Sequence, residues 1–369
     1  MRPATAPDHL DITADDGVRL TADHYRAPAE GEAQGAVLIR TPYGRTQYAA
    51  QAHAWCRAGY DVVVQDVRGR YGSAGAWNPY DKEGADGAAT VRYLAGNGLL
   101  RGPLILAGAS YDAHCAVEAA RVLEKERAPE ETRRPVAAAP KPLAVVAMVP
   151  ALGLCETARE PDGTPRLRDR IGWWHQHGFG KESRHPLPAA ELRRIYRQAE
   201  ERGMDWMIHN LMDDATYGPG STAGWKRLWD ATPADLHALY GQLNTPLLMI
   251  SGQRDFFVAE AANLVRAWGS AAPRTLVETL WGPWGHRLAN DLGAGAAAAL
   301  RQQGGLMARI KDFLAAASAW DPTGAQPGPL GDRRPPVLQW QPGDQPHTWH
   351  WAPATPETLP HHLNNHGES

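Results

Sequence analysis

Short apolar runs separated by longer amphipathic stretches characterise the first 150 residues of the chain. Continuous apolar runs, which are typical of strands buried on both faces, occupy residues 36–40, 61–65, 104–107 and 143–149. Residues compatible with helices lie between these runs, at 47–57, 84–95 and 112–123. Residues 9–13 and 18–25 alternate between apolar and polar, and a hairpin turn at Asp16-Gly17 joins them. This alternation of strands and helices predicts an α/β fold with a mostly parallel sheet covered on both faces.

The alternation stops between residues 151 and 240. This segment is charged, rich in tryptophan and helical in pattern, with helices predicted at 191–203, 205–212 and 222–229. Buried strands resume at 246–252 and 274–280, and further helices are predicted at 259–268 and 296–317. Helices inserted between two strands of an open sheet are expected to cover the strand ends as a cap.

The pattern predicts four segments. Residues 1–150 form the first part of an α/β core, 151–240 a helical cap, 241–320 the second part of the core, and 321–369 a C-terminal extension. The extension is rich in proline, with short strands predicted at 337–340 and 349–351.

Composition narrows the classes of function. Hydrophobic residues make up 43% of the chain and charged residues 21%, as in a globular protein, and the formal net charge of −3 does not favour binding to nucleic acid. No apolar run reaches the roughly 18 residues that a membrane-spanning helix needs, and the N-terminus lacks the apolar core of a signal peptide. Three scattered cysteines do not suffice for a disulfide framework or a zinc site. We therefore expect a cytoplasmic protein without membrane contact, metal or other cofactor.

A serine lies where the strand at 104–107 turns sharply into a helix. The run Gly108-Ala109-Ser110 separates the strand from the helix that begins near Asp112. Such a turn lifts the serine hydroxyl out of the sheet and directs helix N–H groups at the reacting atoms, as in a nucleophile elbow. Because a serine hydroxyl is a weak nucleophile without a base, this interpretation requires a histidine and a carboxylate elsewhere.

Two later strand ends supply both partners. In an open parallel sheet, reactive groups gather at the carboxyl ends of the strands, where Asp255 and His286 follow the strands at 246–252 and 274–280. The chain order Ser110, Asp255, His286 is that of the α/β-hydrolases. The predicted donors to a tetrahedral oxyanion are the backbone N–H of Tyr111 and the hydroxyl of Tyr43.

Four runs together resemble the cocaine-esterase (CocE/NonD) family, which is related to the X-Pro dipeptidyl-peptidases. They are R-T-P-Y-G-R at residues 40–45, V-V-Q-D-V-R-G-R at 63–70, G-A-S-Y at 108–111 and G-P-W-G-H at 282–286. The resemblance covers roughly residues 10 to 350 and implies an α/β-hydrolase fold with a Ser110–His286–Asp255 triad. It also implies that the tyrosine of the R-T-P-Y motif, Tyr43, supplies an oxyanion hydroxyl.

The chain departs from the family pattern in two places. The family elbow usually reads G-x-S-Y-x-G, whereas Asp112 and Ala113 stand here. We expect Asp112 to interact favourably with the helix N-terminus rather than to act on substrate. Family members also commonly carry a β jelly-roll domain, of which residues 321–369 resemble a remnant. We expect the site either to stay open or to be closed by a second copy of the chain in a homodimer.

Aromatic residues are the predicted contacts for a small ester or acyl substrate. The chain has 14 tryptophans, and the predicted substrate-binding residues are Trp173, Trp174, Trp206, Trp284 and Phe256. The neighbouring histidines His175 and His177 lack the carboxylate pattern of a metal site, so no metal is predicted there.

These observations predict a serine hydrolase that cleaves an ester, or an amide, through a Ser110 acyl-enzyme. A first alternative is an acyltransferase or cyclising enzyme of a biosynthetic pathway that uses the same triad. A second alternative is a non-catalytic binding protein built on the hydrolase scaffold.

Overall fold

The computed structural model describes residues 6–28, 33–127, 139–321, 336–341 and 348–353. The strands are, in chain order, β1 (Asp8–Thr13), β2 (Arg19–Tyr25), β3 (Gly35–Thr41), β4 (Tyr60–Asp66), β5 (Leu104–Ala109), β6 (Ala144–Met148), β7 (Leu247–Gly252), β8 (Val277–Gly282), β9 (Pro336–Gln341) and β10 (Thr348–Pro353). Every apolar run predicted as a strand corresponds to one of them. The strand predicted at 274–280 begins three residues later than expected, at Val277.

The helices interleave with these strands. They are α1 (Ala49–Arg57), α2 (Glu83–Gly96), α3 (Tyr111–Arg127), α4 (Leu154–Ala158), α5 (Leu167–Trp173), α6 (Ala189–Asn210), α7 (Asp214–Tyr217), α8 (Ser221–Asp230), α9 (Leu236–Tyr240), α10 (Val258–Ala267), α11 (Ala294–Gln302) and α12 (Gly305–Ser318). A π-helical turn, Trp174–Gly178, follows α5. Of the loop predicted at 127–142, residues 128–138 lie outside the described residues.

Glycines decide two helix boundaries. The predicted break between helices 191–203 and 205–212 lies inside α6, where Gly203 adopts φ 83. The prediction of one helix over 296–317 was wrong, because Gly304 (φ 86) and Gly305 (φ 63) separate α11 from α12. Glycine adopts a left-handed backbone without steric cost and so ends a helix that its alanine-rich neighbours favour.

The described chain divides into two compact units. The first comprises the described residues up to Gly102 together with Leu152–Ala234, and the second comprises Pro103–Ala151 and the described residues from Asp235 onward. This division into two units does not test the four segments predicted from the sequence, which stay a prediction.

In the first unit the strand order is β1-β2-β4-β3. The β3–β4 pair is parallel, while β2 pairs antiparallel with both β1 and β4. The described part of segment 152–234 is helical apart from turns, loops and one isolated bridge, between Arg159 and Pro165. Its helices enclose an apolar cluster that includes Trp174, Trp225 and Trp229.

In the second unit the order is β5-β6-β7-β8-β9-β10. Strands β5 to β9 pair in parallel, and β10 closes antiparallel on β9, so the two short C-terminal strands predicted from the sequence are confirmed. The inner strands are buried along their length, which explains their continuous apolar runs. Their carboxyl ends carry the residues discussed next.

Candidate active site

Ser110 lies at a sharp turn between β5 and α3. Its backbone adopts φ 58, a left-handed conformation that costs a side-chain-bearing residue about 1–2 kcal/mol. The turn is held from both sides, because the Ser110 amide donates to the Met148 carbonyl at 2.9 Å and the Ser110 carbonyl accepts from the amide of Ala113 at 3.1 Å. The sharp turn predicted for a nucleophile elbow is therefore present, and its backbone is strained.

The residues around Ser110 explain the small side chains of this motif. A Cβ atom placed on Gly108 would lie 2.2 Å from the backbone carbon of Asp112, so only glycine lets α3 pack this closely on β5. Ala113, one of the departures from the family pattern, is fully buried at 0% exposure. Asp112 is also buried and lies in the first turn of α3, as its expected role at the helix N-terminus requires.

Asp255 is positioned by the turn that follows β7. Its amide donates to the carbonyl of Gly252 at 3.1 Å, and its Oδ1 accepts from the amide of Phe257 at 3.2 Å. The Ser251 hydroxyl donates to Oδ2 at 3.4 Å, and Asp255 is buried. Hydrogen bonds within residues 251–257 therefore hold the carboxylate at the end of β7, in addition to its contact with His286.

His286 connects Asp255 to Ser110. Its Nδ1 lies 2.9 Å from Asp255 Oδ1, and its Nε2 lies 2.9 Å from Ser110 Oγ. With Nδ1–H donated to the carboxylate, Nε2 is free of hydrogen and accepts from the serine hydroxyl. The structure thus brings together, within one unit, the three residues that the sequence predicted from separate strand ends.

Trp284 holds the loop of His286 against the loop of Asp255. Its indole fills the space beside Gly282, where a Cβ would lie 2.2 Å from the ring, and its Nε1–H donates to the Ser251 carbonyl at 3.1 Å. Its own carbonyl accepts from the Arg254 amide at 3.1 Å. Trp284 was predicted to bind substrate, but its ring is fully buried at 0% exposure and presents no surface to a ligand in this structure.

Two phenylalanines surround the imidazole of His286. Phe256 stacks on it with ring centroids 4.4 Å apart and an interplanar angle of 26°. Phe257 contacts it edge-on at 5.4 Å and 81° and is buried. Phe256 is exposed, so the predicted substrate contact lies beside the histidine with one part of its ring open to solvent.

Tyr111 is the first residue of α3, and its side chain is fully buried. Its backbone N–H accordingly lies at the N-terminal end of the helix, directly after Ser110. This is the position from which helix N–H groups bind anions.

Tyr43 belongs to the first unit and follows β3. Its hydroxyl accepts from Nε1 of Trp173 at 3.2 Å, and its ring contacts His177 edge-on with centroids 4.9 Å apart. Its amide donates to the Thr41 hydroxyl at 3.1 Å. Trp173, a predicted substrate residue, is half-buried and in direct contact with the predicted oxyanion tyrosine.

A fully buried arginine, missed by the sequence analysis, supports this tyrosine. Arg70 donates from Nε to the carbonyl of Pro42 at 2.9 Å and from Nη1 to the carbonyl of Gly180 at 2.7 Å. Its Nη2 donates to the Ser183 hydroxyl at 3.0 Å. The guanidinium thus joins the residue before Tyr43 to a loop more than 100 positions later, and no local sequence pattern signals such a link.

Ser183 extends the network to His177. The Tyr71 hydroxyl donates to Ser183 Oγ at 2.8 Å, and Oγ lies 2.9 Å from Nδ1 of His177. Since Ser183 Oγ already accepts from Tyr71 and Arg70, its own hydrogen goes to Nδ1. Burial, together with the positive charge of Arg70, lowers the pKa of His177 to about 4.

The two remaining predicted substrate residues lie in the helical part of the first unit. Trp174 is 1% exposed and packs against Phe179 and Trp225, so it is part of the core. Trp206 is half-buried, with the Arg202 guanidinium 4.8 Å from its ring centroid. Within the described residues, Trp173 and Trp206 thus retain some exposed surface and Trp174 retains almost none.

The described residues contain no group of three or more histidines, cysteines, aspartates or glutamates placed to hold a metal ion. No helix in the described part of the chain is long and apolar enough to cross a bilayer. The three cysteines are buried and not joined in disulfides.

The parallel strands, the elbow and the hydrogen-bonded serine, histidine and aspartate define an α/β-hydrolase fold. Solved structures share this fold. An aminopeptidase from a marine-sediment Thaumarchaeota archaeon matches with a TM-score of 0.60 at 16% identity, over 95% of this chain and 60% of its own. An α-amino acid ester hydrolase matches with a TM-score of 0.56 at 16% identity, over 94% of this chain and 57% of its own.

Within that class, residues 16–127 match the X-Pro dipeptidyl-peptidase (S15) family. The chain is also 25% identical over 302 residues to the cocaine esterase of Rhodococcus sp. (strain MB1 Bresler), a match that covers 73% of this chain. The resemblance seen in the four motifs is therefore confirmed. The chain spans about half the length of this curated relative, 47% of which is matched.

Proposed function

We propose that the chain is a serine hydrolase that cleaves the ester bond of a small acyl substrate. The observation that carries the proposal is the continuous hydrogen-bonded path from Ser110 through His286 to Asp255, with both links at 2.9 Å. The match of residues 16–127 to the X-Pro dipeptidyl-peptidase family and the similarity to a cocaine esterase support the same reaction class.

In the proposed first step, His286 Nε2 removes the hydroxyl proton of Ser110 as Oγ attacks the substrate carbonyl carbon. Asp255 keeps Nδ1 protonated and stabilises the imidazolium that forms. The imidazolium then returns the proton to the leaving alcohol, and an acyl-enzyme remains on Ser110. Water activated by His286 hydrolyses the acyl-enzyme in the second step.

The negative oxygen of each tetrahedral intermediate needs donors that are in place before the reaction. We assign one to the backbone N–H of Tyr111 and the other to the hydroxyl of Tyr43. The support for Tyr111 is its position at the start of α3. The support for Tyr43 is its place in the R-T-P-Y motif just after β3, where the Trp173 Nε1–H donates to its hydroxyl oxygen and orients the phenol.

Labelling with a fluorophosphonate probe tests the proposal. The wild type should be labelled, and Ser110→Ala should not. Absence of labelling in a folded wild type would reject the proposal of a serine hydrolase and favour the alternative of a non-catalytic binding protein.

Product analysis separates hydrolysis from acyl transfer. With an activated ester and a series of added amines and alcohols, a hydrolase releases mainly the free acid. Predominant transfer to one acceptor class at low concentration would replace our proposal with the acyltransferase alternative.

A further inference from the structure

Phe256 is unusual because it is a large apolar side chain with much of its surface in solvent. It is 38% exposed, and in the described part of the chain only Leu239, at 36%, is a comparably exposed large apolar residue. Leaving apolar surface in water is unfavourable, and Phe256 follows directly after a site residue. Its position therefore calls for an explanation beyond packing.

The ring of Phe256 lies almost parallel to the imidazole of His286, at 4.4 Å between centroids and 26° between planes. Phe257 supports both rings, since it contacts Phe256 edge-on at 4.6 Å and His286 edge-on at 5.4 Å. Three consecutive residues, Asp255, Phe256 and Phe257, thus contact one imidazole through a carboxylate, a ring face and a ring edge.

This arrangement restricts the histidine. His286 keeps both of its hydrogen bonds only in one ring orientation, and the side chain is still 23% exposed. A ring lying flat on one face blocks rotation of the imidazole out of that orientation and keeps water from that face. The face of an aromatic ring also attracts a cation.

We propose that Phe256 is a positioning residue for His286. It holds the imidazole in the plane that joins Asp255 to Ser110 and stabilises the imidazolium formed when Ser110 loses its proton. This inference rests on the proposed serine-hydrolase function and adds a group that acts through the histidine rather than on the substrate.

The test compares Phe256→Leu, which keeps apolar volume without a ring face, with Phe256→Tyr, which keeps the ring. The first readout is the second-order rate of inactivation by a small fluorophosphonate, which depends on the reactivity of Ser110. The second is the division of any loss in ester hydrolysis between kcat and KM. Leu239→Ala is the matched control, because it also removes an exposed apolar side chain from the second unit.

We expect Phe256→Leu to slow inactivation and to lower kcat by about tenfold with KM changed by less than about twofold. Phe256→Tyr should keep the inactivation rate and kcat within about threefold of the wild-type values, and Leu239→Ala should not change either. If the leucine variant does not fold, Phe256→Met repeats the comparison.

Inactivation of Phe256→Leu at the wild-type rate would overturn the proposal. An increase in KM with an unchanged kcat would also overturn it, because Phe256 would then only contact the substrate. A tyrosine variant as slow as the leucine variant would also overturn it. A folded wild type that no fluorophosphonate labels would instead reject the proposed function itself.

Discussion

Ser110 and Tyr43 are held by different kinds of interaction. Around Ser110, His286 and Asp255 the backbone does most of the positioning, through a left-handed turn and glycines that leave no space for a Cβ. Around Tyr43 the positioning comes from side chains, through the hydrogen bonds of Trp173 and Arg70. Backbone positioning is sensitive to a single added methyl group, whereas a side-chain network is sensitive to charge and pH.

The largest expected effect concerns Ser110, His286 and Asp255, which the backbone positions. Asp255→Asn keeps the shape of the side chain but no longer fixes the protonated Nδ1 of His286. We expect kcat to fall by about 10⁴-fold with little change in stability. Steady-state kinetics and thermal melting measure both.

Asp235→Asn is the matched control for this change. Asp235 is the N-cap of α9, where it accepts from the amide of Ala238, and asparagine caps a helix equally well. A loss of activity in Asp235→Asn as large as that in Asp255→Asn would contradict the assignment.

The second effect tests the tyrosine that the side-chain network holds. Tyr43→Phe removes one proposed oxyanion donor, and we expect kcat to fall by about 10²–10³-fold. Tyr48→Phe also removes a phenol hydroxyl of the first unit, one that accepts from the Thr41 hydroxyl, and should keep kcat near the wild-type value. An unchanged kcat in Tyr43→Phe would remove Tyr43 from the mechanism.

The third effect concerns pH and the network behind Tyr43. His177 has a pKa of about 4 in the folded protein, below its ordinary 6.5, so the unfolded chain binds the proton more readily. Above pH 6.5 the histidine is neutral in both states and does not lower the free energy of unfolding. As the pH falls from 6.5 towards 4, the unfolded chain takes up the proton first, so the free energy of unfolding decreases.

Urea unfolding at about pH 7 and about pH 4.5 measures this loss. Relative to His177→Gln, which does not titrate, we expect the wild type to lose about 2 kcal/mol more between the two pH values. Parallel losses in the two proteins would show that His177 does not contribute.

The fourth effect, similar in size to the third, is a change in stability caused by a methyl group added where the backbone is tightly packed. A Cβ on Gly252 would lie 2.1 Å from the carbonyl oxygen of Trp284, which is backbone and has little freedom to move. Gly252→Ala should lower the free energy of unfolding by about 1–3 kcal/mol.

Gly293→Ala is the control, because Gly293 has φ −60 and no atom within 4 Å of its Cβ position. Equal melting temperatures for the two variants would show that the contact between the two loops tolerates the extra methyl group.

The sequence predicted the backbone-held part of the site better than the part held by side chains. Apolar runs located the strands, and the rule that reactive groups gather at strand ends selected Ser110, Asp255 and His286, which the structure brings together. Arg70 escaped prediction because its partners at Gly180 and Ser183 are distant in sequence and are contacted through ordinary carbonyl and hydroxyl groups.

The sequence was equally unable to assign roles to the individual aromatic residues. A tryptophan near a predicted site has no local signal that separates a ligand contact from a packing role. Trp284 is buried because Gly252 and Gly282, which lie on different strands, leave room for its indole. Phe256 is exposed in the same part of the molecule, and only the three-dimensional arrangement distinguishes the two.

The left-handed backbone of Ser110 implies a trade-off between stability and reactivity at one residue. Glycine adopts φ 58 without steric cost, whereas serine and alanine do not. An inactive Ser110→Gly protein should therefore relieve this local strain, which Ser110→Ala retains. The glycine variant is then the better choice for trapping an intact substrate in a crystal, since it removes the nucleophile without weakening the turn that presents it.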